Sequence, residues 1–300
     1  MEELLQHLIN GLSLGSIYAL IALGYTMVYG ILQMINFAHS EVYMMGAFFA
    51  YYSAKYLNLS SSPGFTSLAI VLVTTMVLCS LLGLAIEKFA YRPLRKAPKL
   101  NVLITAIGVS LFLQYFAQLV FGADPKVFPT LIEDQTLFSV AGAPIKSFDV
   151  TILIVSLLSM GILHFLVYHT KLGKAMRAVS HNASVASILG INVSRVVAYT
   201  FIIGSSLAGI GAILVGIKYQ KIEPMMGTMI GLKAFVAAVL GGIGSIAGAV
   251  TGGLILGVSE ILVVVYGSSQ YRDALAFLIL IFILLVKPAG MFGKNRIEKV

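Results

Sequence analysis

Charge is scarce in this chain: 11% of its 300 residues are Asp, Glu, Lys or Arg, against 59% that are hydrophobic. Soluble domains carry about 25% charged residues, so a water-exposed globule is excluded and a membrane setting is implied. Cysteine is scarcer still. Cys79 stands alone inside an apolar run, which excludes an intrachain disulfide and a cysteine-clustered metal site. No GxxxxGK[ST] phosphate loop occurs, so any ATP chemistry must come from another polypeptide. HExxH and GxSxG are missing as well, and the five histidines (His7, His39, His164, His169, His181) are scattered over different segments. Without a recognisable nucleophile and base the chain is not expected to be an enzyme, and nothing in it calls for a cofactor or a metal. Glu2 and Glu3 stand where a signal peptide would be basic, so no cleaved leader is expected.

What the chain has is apolar length. A spanning helix needs about 20 mostly apolar residues, and mean hydropathy is +0.96 over the whole sequence. Spans are expected near 7–30, 40–57, 65–87, 101–121, 149–169, 195–216, 229–247, 248–266 and 273–288. The fold class is therefore all-α, a polytopic bundle of eight to nine membrane segments in a single domain over 1–300. Three basic clusters mark the cytoplasmic side by the excess of Lys and Arg. They are Lys88, Arg92, Arg95, Lys96 and Lys99; Lys171, Lys174, Arg177 and Arg195; and Lys287, Lys294, Arg296 and Lys299. The other seven basic residues, Lys55, Lys126, Lys146, Lys218, Lys221, Lys233 and Arg272, are assigned to outer segments with eight of the 12 acids. Nine crossings put Met1 outside; a re-entrant segment would leave eight and put it inside.

The segment expected to be broken or re-entrant lies near 31–57, where Gln33, Asn36, His39, Ser40 and Glu41 interrupt an apolar run. Polar groups at membrane depth are tolerated only against protein or a water-filled path. Asn36, His39, Ser40, Glu41 and Tyr43 are therefore candidates for a substrate path or gate. The competing reading is that Ser40 and Glu41 only cap a helix start. Glu260, the other clear intramembrane acid, reads as a packing residue bonded to a neighbour. Pro125, Pro129 and Pro144 mark 122–148 as an outer loop, folded back as a short helix or hairpin. Gly11/Gly15, Gly244/Gly248, Gly248/Gly252 and Gly253/Gly257 are spaced for close helix contact, expected mostly within one subunit. A bend is expected within 241–253. The two halves show only a vague Gly-rich echo, too weak to argue symmetry.

Between two long apolar segments lies KLGKAMRAVSHNASVASILGINVSR, 171–195. Ala183, Ala186 and Leu189 recur at helical spacing and Asn182 suits an N-cap. A small helix on the cytoplasmic side gains little unless something docks there; the alternative is a plain linker.

Four blocks carry a resemblance: MINFAHSEVYMMGAF at 34–48, EKFAYRPLR at 87–95, AMRAVSHNASVASILGIN at 175–192 and KAFVAAVLGGIGSIAGAVTGGLILG at 233–257. In this order they resemble the LivH-type permeases of branched-chain amino-acid ATP-binding-cassette (ABC) importers, from about residue 9 to the C-terminal PAGMFG. The resemblance implies a multi-pass subunit of the bacterial inner (plasma) membrane. Its implied partners are a LivM-type second permease, two cytoplasmic ABC ATPases, a periplasmic or extracellular substrate-binding protein and the lipid bilayer, with no nucleic acid. It also implies that Asn182, Ala183, Ala186, Leu189, Gly190 and Asn192 form the ATPase coupling segment. Where the wider importer signature begins its coupling helix Glu-Ala-Ala, this chain has Ala183, Ser184 and Val185, so docking would rest on shape and apolar contact. A urea or short-amide permease of the same family and a secondary transporter or channel are the alternatives. A proton-coupled carrier fits poorly with so little intramembrane charge.

Overall fold

The computed structural model describes residues 2–95, 97–140 and 142–293; Met1, Lys96, Lys294, Arg296 and Lys299 lie outside the described residues. Eleven α-helices follow in order: α1 (Glu2–Leu32), α2 (His39–Tyr56), α3 (Phe65–Ile86), α4 (Lys99–Phe121), α5 (Ser147–His169), α6 (Lys171–His181), α7 (Ala183–Ile188), α8 (Val193–Tyr219), α9 (Met226–Gly241), α10 (Ile246–Tyr266) and α11 (Arg272–Val286). Each of the nine expected spans falls on one of them. Seven are long and apolar enough to cross a membrane, the last being α11 counted with the preceding turn from Ser269; α2, more polar, and α9, only 16 residues long, fall short of that measure. Of the eight to nine expected segments, seven thus meet the measure, while α9 misses it by length and α2 by polarity.

The ends of the bundle differ in chemistry. At one end β1 (Lys126–Val127) pairs antiparallel with β4 (Lys221–Ile222), and β2 (Thr136–Val140) with β3 (Ala143–Lys146). This is the expected hairpin of the outer loop, and the Glu2 carboxylate reaches Gly142 beside it. The start of α1 therefore lies at the same end as this hairpin. The 88–99 and 171–195 segments meet at the opposite end, where Arg95 donates to Ser194 Oγ at 2.9 Å and α6 packs against α1, α5 and α8.

Helices α1 and α8 form the core, with 83% of each apolar window buried, against 11% for the last span. The other helices wrap them in a repeating way. α1 packs on α10 and α9, while α8 packs on α3 and α2; α9 packs on α10 and α11, while α2 packs on α3 and α4. Exchanging α1–α4 for α8–α11 preserves these pairings with the chain direction inverted. Each core helix ends on a left-handed glutamine, Gln33 (φ 54°) or Gln220 (φ 51°). Each of these donates its backbone N–H four residues back, to Tyr29 O or Gly216 O, at 2.8 Å. An irregular stretch and a short helix follow in both cases. The halves are thus an inverted repeat, which the faint sequence echo did not establish.

Small residues set the tightest seams. A Cβ on Gly15 would stand 2.8 Å from Leu254 Cα, and one on Gly11 2.8 Å from Val258 Cα, so α1 and α10 touch backbone to backbone. The ladders do pack helices within this chain. The expected bend is confined to Gly242–Ser245, with φ 103° at Gly242 and 97° at Gly244, and α10 runs unbroken from Ile246.

Candidate functional site

The break at 33–38 and the first turns of α2 and α9 meet in the interior. α2 and α9 cross antiparallel: Phe37 lies 6.1 Å from Phe235 between ring centroids, and Ser40 leaves no room for a Cβ on Gly231. All five path candidates are buried there. Asn36 Oδ1 accepts from Tyr91 Oη at 2.7 Å. Tyr91 ends a π-helical turn, Glu87–Tyr91, that continues α3, and such turns recur at functional sites. His39 lies over Gly24 and edge-on to Tyr25 (4.9 Å), and its Nε2 has no hydrogen-bond partner among the described residues. Tyr43 Oη likewise has none.

Ser40 and Glu41 do not cap α2 through their side chains. Ser40 Oγ donates back to Phe37 O at 2.8 Å, and the cap residue Ala38 contributes no side-chain bond. Glu41 is 1% exposed. Its Oε1 accepts long bonds from Ser110 Oγ (3.4 Å) and Ser40 Oγ (3.5 Å); its Oε2 has no partner and faces Gly227 in the first turn of α9.

Other contributors went unrecognised in the sequence. Ser110 and Gln114, one turn apart on α4, face this seam, and Gln114 Nε2 donates to Thr228 Oγ1 at 3.3 Å. Polar residues four apart on an apolar helix were the available signal. Below Ser40, towards the basic end, Tyr25, Tyr29, Ile35, Phe235, Ala238 and Ile243 line an apolar crevice too narrow for a water molecule. The seam is closed in this conformation.

The charge assignment needs one correction. Lys233 does not belong to an outer segment; it is 5% exposed within α9 and pairs with Glu260 (2.8 Å) and Asp273 (2.7 Å). Tyr18 Oη donates to Glu260 Oε2 at 2.9 Å, and Arg272 Nε stands 3.8 Å from the same oxygen. Glu260 is the bonded packing acid the sequence suggested, within a larger network than foreseen. Lys218 also reaches inward, to Asp149 at 3.1 Å.

The 171–195 segment forms two helices, not one. Thr170 caps α6, accepting from Gly173 N at 3.0 Å; Asn182 caps α7, accepting from Val185 N at 3.0 Å; Asn192 caps α8, accepting from Arg195 N at 3.0 Å. α7 closes with a Schellman motif: Ile191 N donates to Ala186 O and Gly190 N to Ser187 O, each at 3.0 Å, with Gly190 at φ 83°. Here the single-face expectation fails. Ala186 is 2% exposed and turned into the chain, while Ala183 and Leu189 face out and Leu189 lies just past the helix. Val185, Ile188 and Leu189, at 50%, 84% and 74% exposure, supply the free apolar surface instead.

Seven membrane-length helices, inverted halves and a closed polar seam at their crossing define a polytopic transport protein. Residues 7–284 match the family described as "Branched-chain amino acid transport system / permease component", and the chain belongs to that family. It is 44% identical to "High-affinity branched-chain amino acid transport system permease protein LivH" of Escherichia coli (strain K12), over 99% of this chain and 97% of that protein. Identity is 43% to the permease protein BraD of Pseudomonas aeruginosa, over 99% of this chain and 98% of that protein. To the probable LivH of Methanocaldococcus jannaschii it is 31%, over 93% and 89%. No solved structure matches.

Proposed function

We propose that this chain is the LivH-type permease of an ABC importer that carries branched-chain amino acids across the inner membrane. It is one transmembrane domain working beside a LivM-type permease. Two cytoplasmic ATPases hydrolyse the ATP, and a soluble protein delivers substrate to the outer end, where the 122–148 loop lies. The observation that carries this reading is near full-length identity to permeases named for that transport system, together with a buried seam that has the polarity of a path and is shut. Asn36, His39, Ser40, Glu41 and Tyr43 line the gate. Tyr25, Phe37 and Phe235 close it towards the cytoplasm, and opening requires α2 and α9 to part.

The coupling surface is α7 with its flanks. Asn182, Gly190 and Asn192 shape the turn, Ala183 and Leu189 face outward, and Ala186 anchors α7 to its own chain. Apolar contact through Val185, Ile188 and Leu189 replaces the charged contact that a Glu-Ala-Ala start would offer.

Reconstitution with the partner subunits tests the assignment. Leucine, isoleucine and valine uptake into proteoliposomes should require both ATP and the binding protein. Uptake that persists without ATPases would instead mark a secondary transporter, and uptake of urea but not leucine would mark an amide permease.

A further inference from the structure

Among the described residues, every buried carboxylate or amine has an oppositely charged partner except one. Glu87 pairs with Arg95, Asp149 with Lys218, and Glu260 with Lys233. Glu41 has none, although a lone carboxylate in an apolar interior is costly. Its neighbours are the hydroxyls of Ser40 and Ser110 and the start of α9. No side chain caps that start; Met226 N donates to Glu223 O at 3.1 Å, and no capping bond reaches the N–H groups of Gly227 and Thr228. Gly227 allows the approach, since a Cβ there would stand 2.7 Å from Glu41 Oε2. A carboxylate oxygen without a partner therefore faces the opening turn of α9, where Gly227 and Thr228 carry uncapped N–H groups. Opposed charges so arranged match a zwitterion.

We propose that Glu41 receives the ammonium group of the substrate, with Ser40 and Ser110 as further acceptors, while the free N–H groups opening α9 take its carboxylate as α2 and α9 part. This rests on the reading of the seam as the gate, and it names what the gate selects. An α-amino acid satisfies both sides. Urea and short amides carry no ammonium and leave Glu41 unpaired, so the permease itself disfavours them.

The assembled importer in proteoliposomes provides the test, with Cys79→Ala to remove the native thiol and Ser40→Cys or, on the more peripheral α4, Ser110→Cys as reporter. Three thiol reagents of similar size are compared on this chain by mass: methanethiosulfonates bearing an ethylammonium, an ethylsulfonate or a neutral alkyl group. The ammonium reagent should react about tenfold faster than the sulfonate, as local focusing by one buried charge allows. Leucine should protect the thiol, and Glu41→Gln should erase the preference without blocking the neutral reagent. If the neutral reagent reaches neither thiol in any nucleotide state, the gate reading falls. If it reaches them but the ammonium reagent has no advantage, or keeps it after Glu41→Gln, the ammonium assignment alone is overturned.

Discussion

The inverted halves share a backbone plan and differ in how they treat buried charge. In α8–α11 every buried ion is paired: Lys233 holds Glu260 and Asp273, and Tyr18 and Arg272 close the group around Glu260. In α1–α4 the equivalent short helix carries Glu41 without a cation. Counted from the two left-handed glutamines, Lys233 stands where the first half has Gly46, packed against Cys79 and Gly209. The same scaffold thus places a lysine that pins α9 to α10 and α11, and a glycine that lets α2 sit close to α3 and α8. Paired charge fixes one short helix; unpaired charge leaves the other a site to be filled.

The strongest way to break that comparison is to unpair the second half. Lys233→Met leaves buried Glu260 with only the 3.8 Å contact to Arg272 and half-exposed Asp273 without its lysine, and loss of one member of a buried pair costs roughly 3–5 kcal/mol. The purified complex should unfold at markedly lower temperature in detergent. The double variant Lys233→Met/Glu260→Gln, which removes both charges, should recover most of the loss. Equal destabilisation by the single and double variants would show that packing, not charge, holds α9.

A smaller effect is expected along the core seams. Gly15→Val drives a branched side chain into the α10 backbone, an overpacking cost of about 1–3 kcal/mol. In the mirrored core helix, Gly204→Ala should be nearly silent, because its Cβ would meet Gly24 O at 3.4 Å. Thermal unfolding of both variants ranks the two seams.

Glu41→Gln should move stability little, by less than about 1 kcal/mol, since it removes a charge that has no partner to strand. Leucine uptake should nevertheless fall about tenfold, with loss of an ion-pair contact to substrate. A drop in melting temperature like that of Lys233→Met would make Glu41 a packing residue and erase the contrast between the halves.

On fold stability the smallest change is Ile188→Ser, at an exposed position of α7. The permease should fold and insert unchanged but lose co-purifying ATPase. Ala186→Arg should instead destabilise the chain itself, because Ala186 is buried within it. Retained ATPase binding by Ile188→Ser would move the coupling surface elsewhere.

Much of this was legible in the residues. The nine helical segments, the buried interruption from Asn36 to Tyr43, the cap Asn182 and the folded-back 122–148 loop follow from composition, interruption and turn chemistry over short windows. Other features were not. Ala183, Ala186 and Leu189 share a spacing, but spacing does not say which side of a six-residue helix faces the protein. Lys233 looked like outer charge because a single lysine at a span edge and one buried against Glu260 read alike. Ser110 and Gln114 were passed over because α4 carries other scattered polar residues, such as Asn101, Thr105 and Gln118, that mark no seam.

By itself the sequence determined the solvent, the place of the apolar helices and the kinship, since each is a property of local composition or of aligned blocks. Only tertiary structure decided which helices cross, that the halves are inverted copies, that Lys233 meets Glu260 and that Glu41 meets no cation. In lipid the outward and inward faces of a helix are both apolar, so periodicity does not mark the buried side as it does in water. Partnership there is set by close backbone approach at Gly11, Gly15, Gly227 and Gly231, and that becomes visible only when residues distant in the chain are brought together.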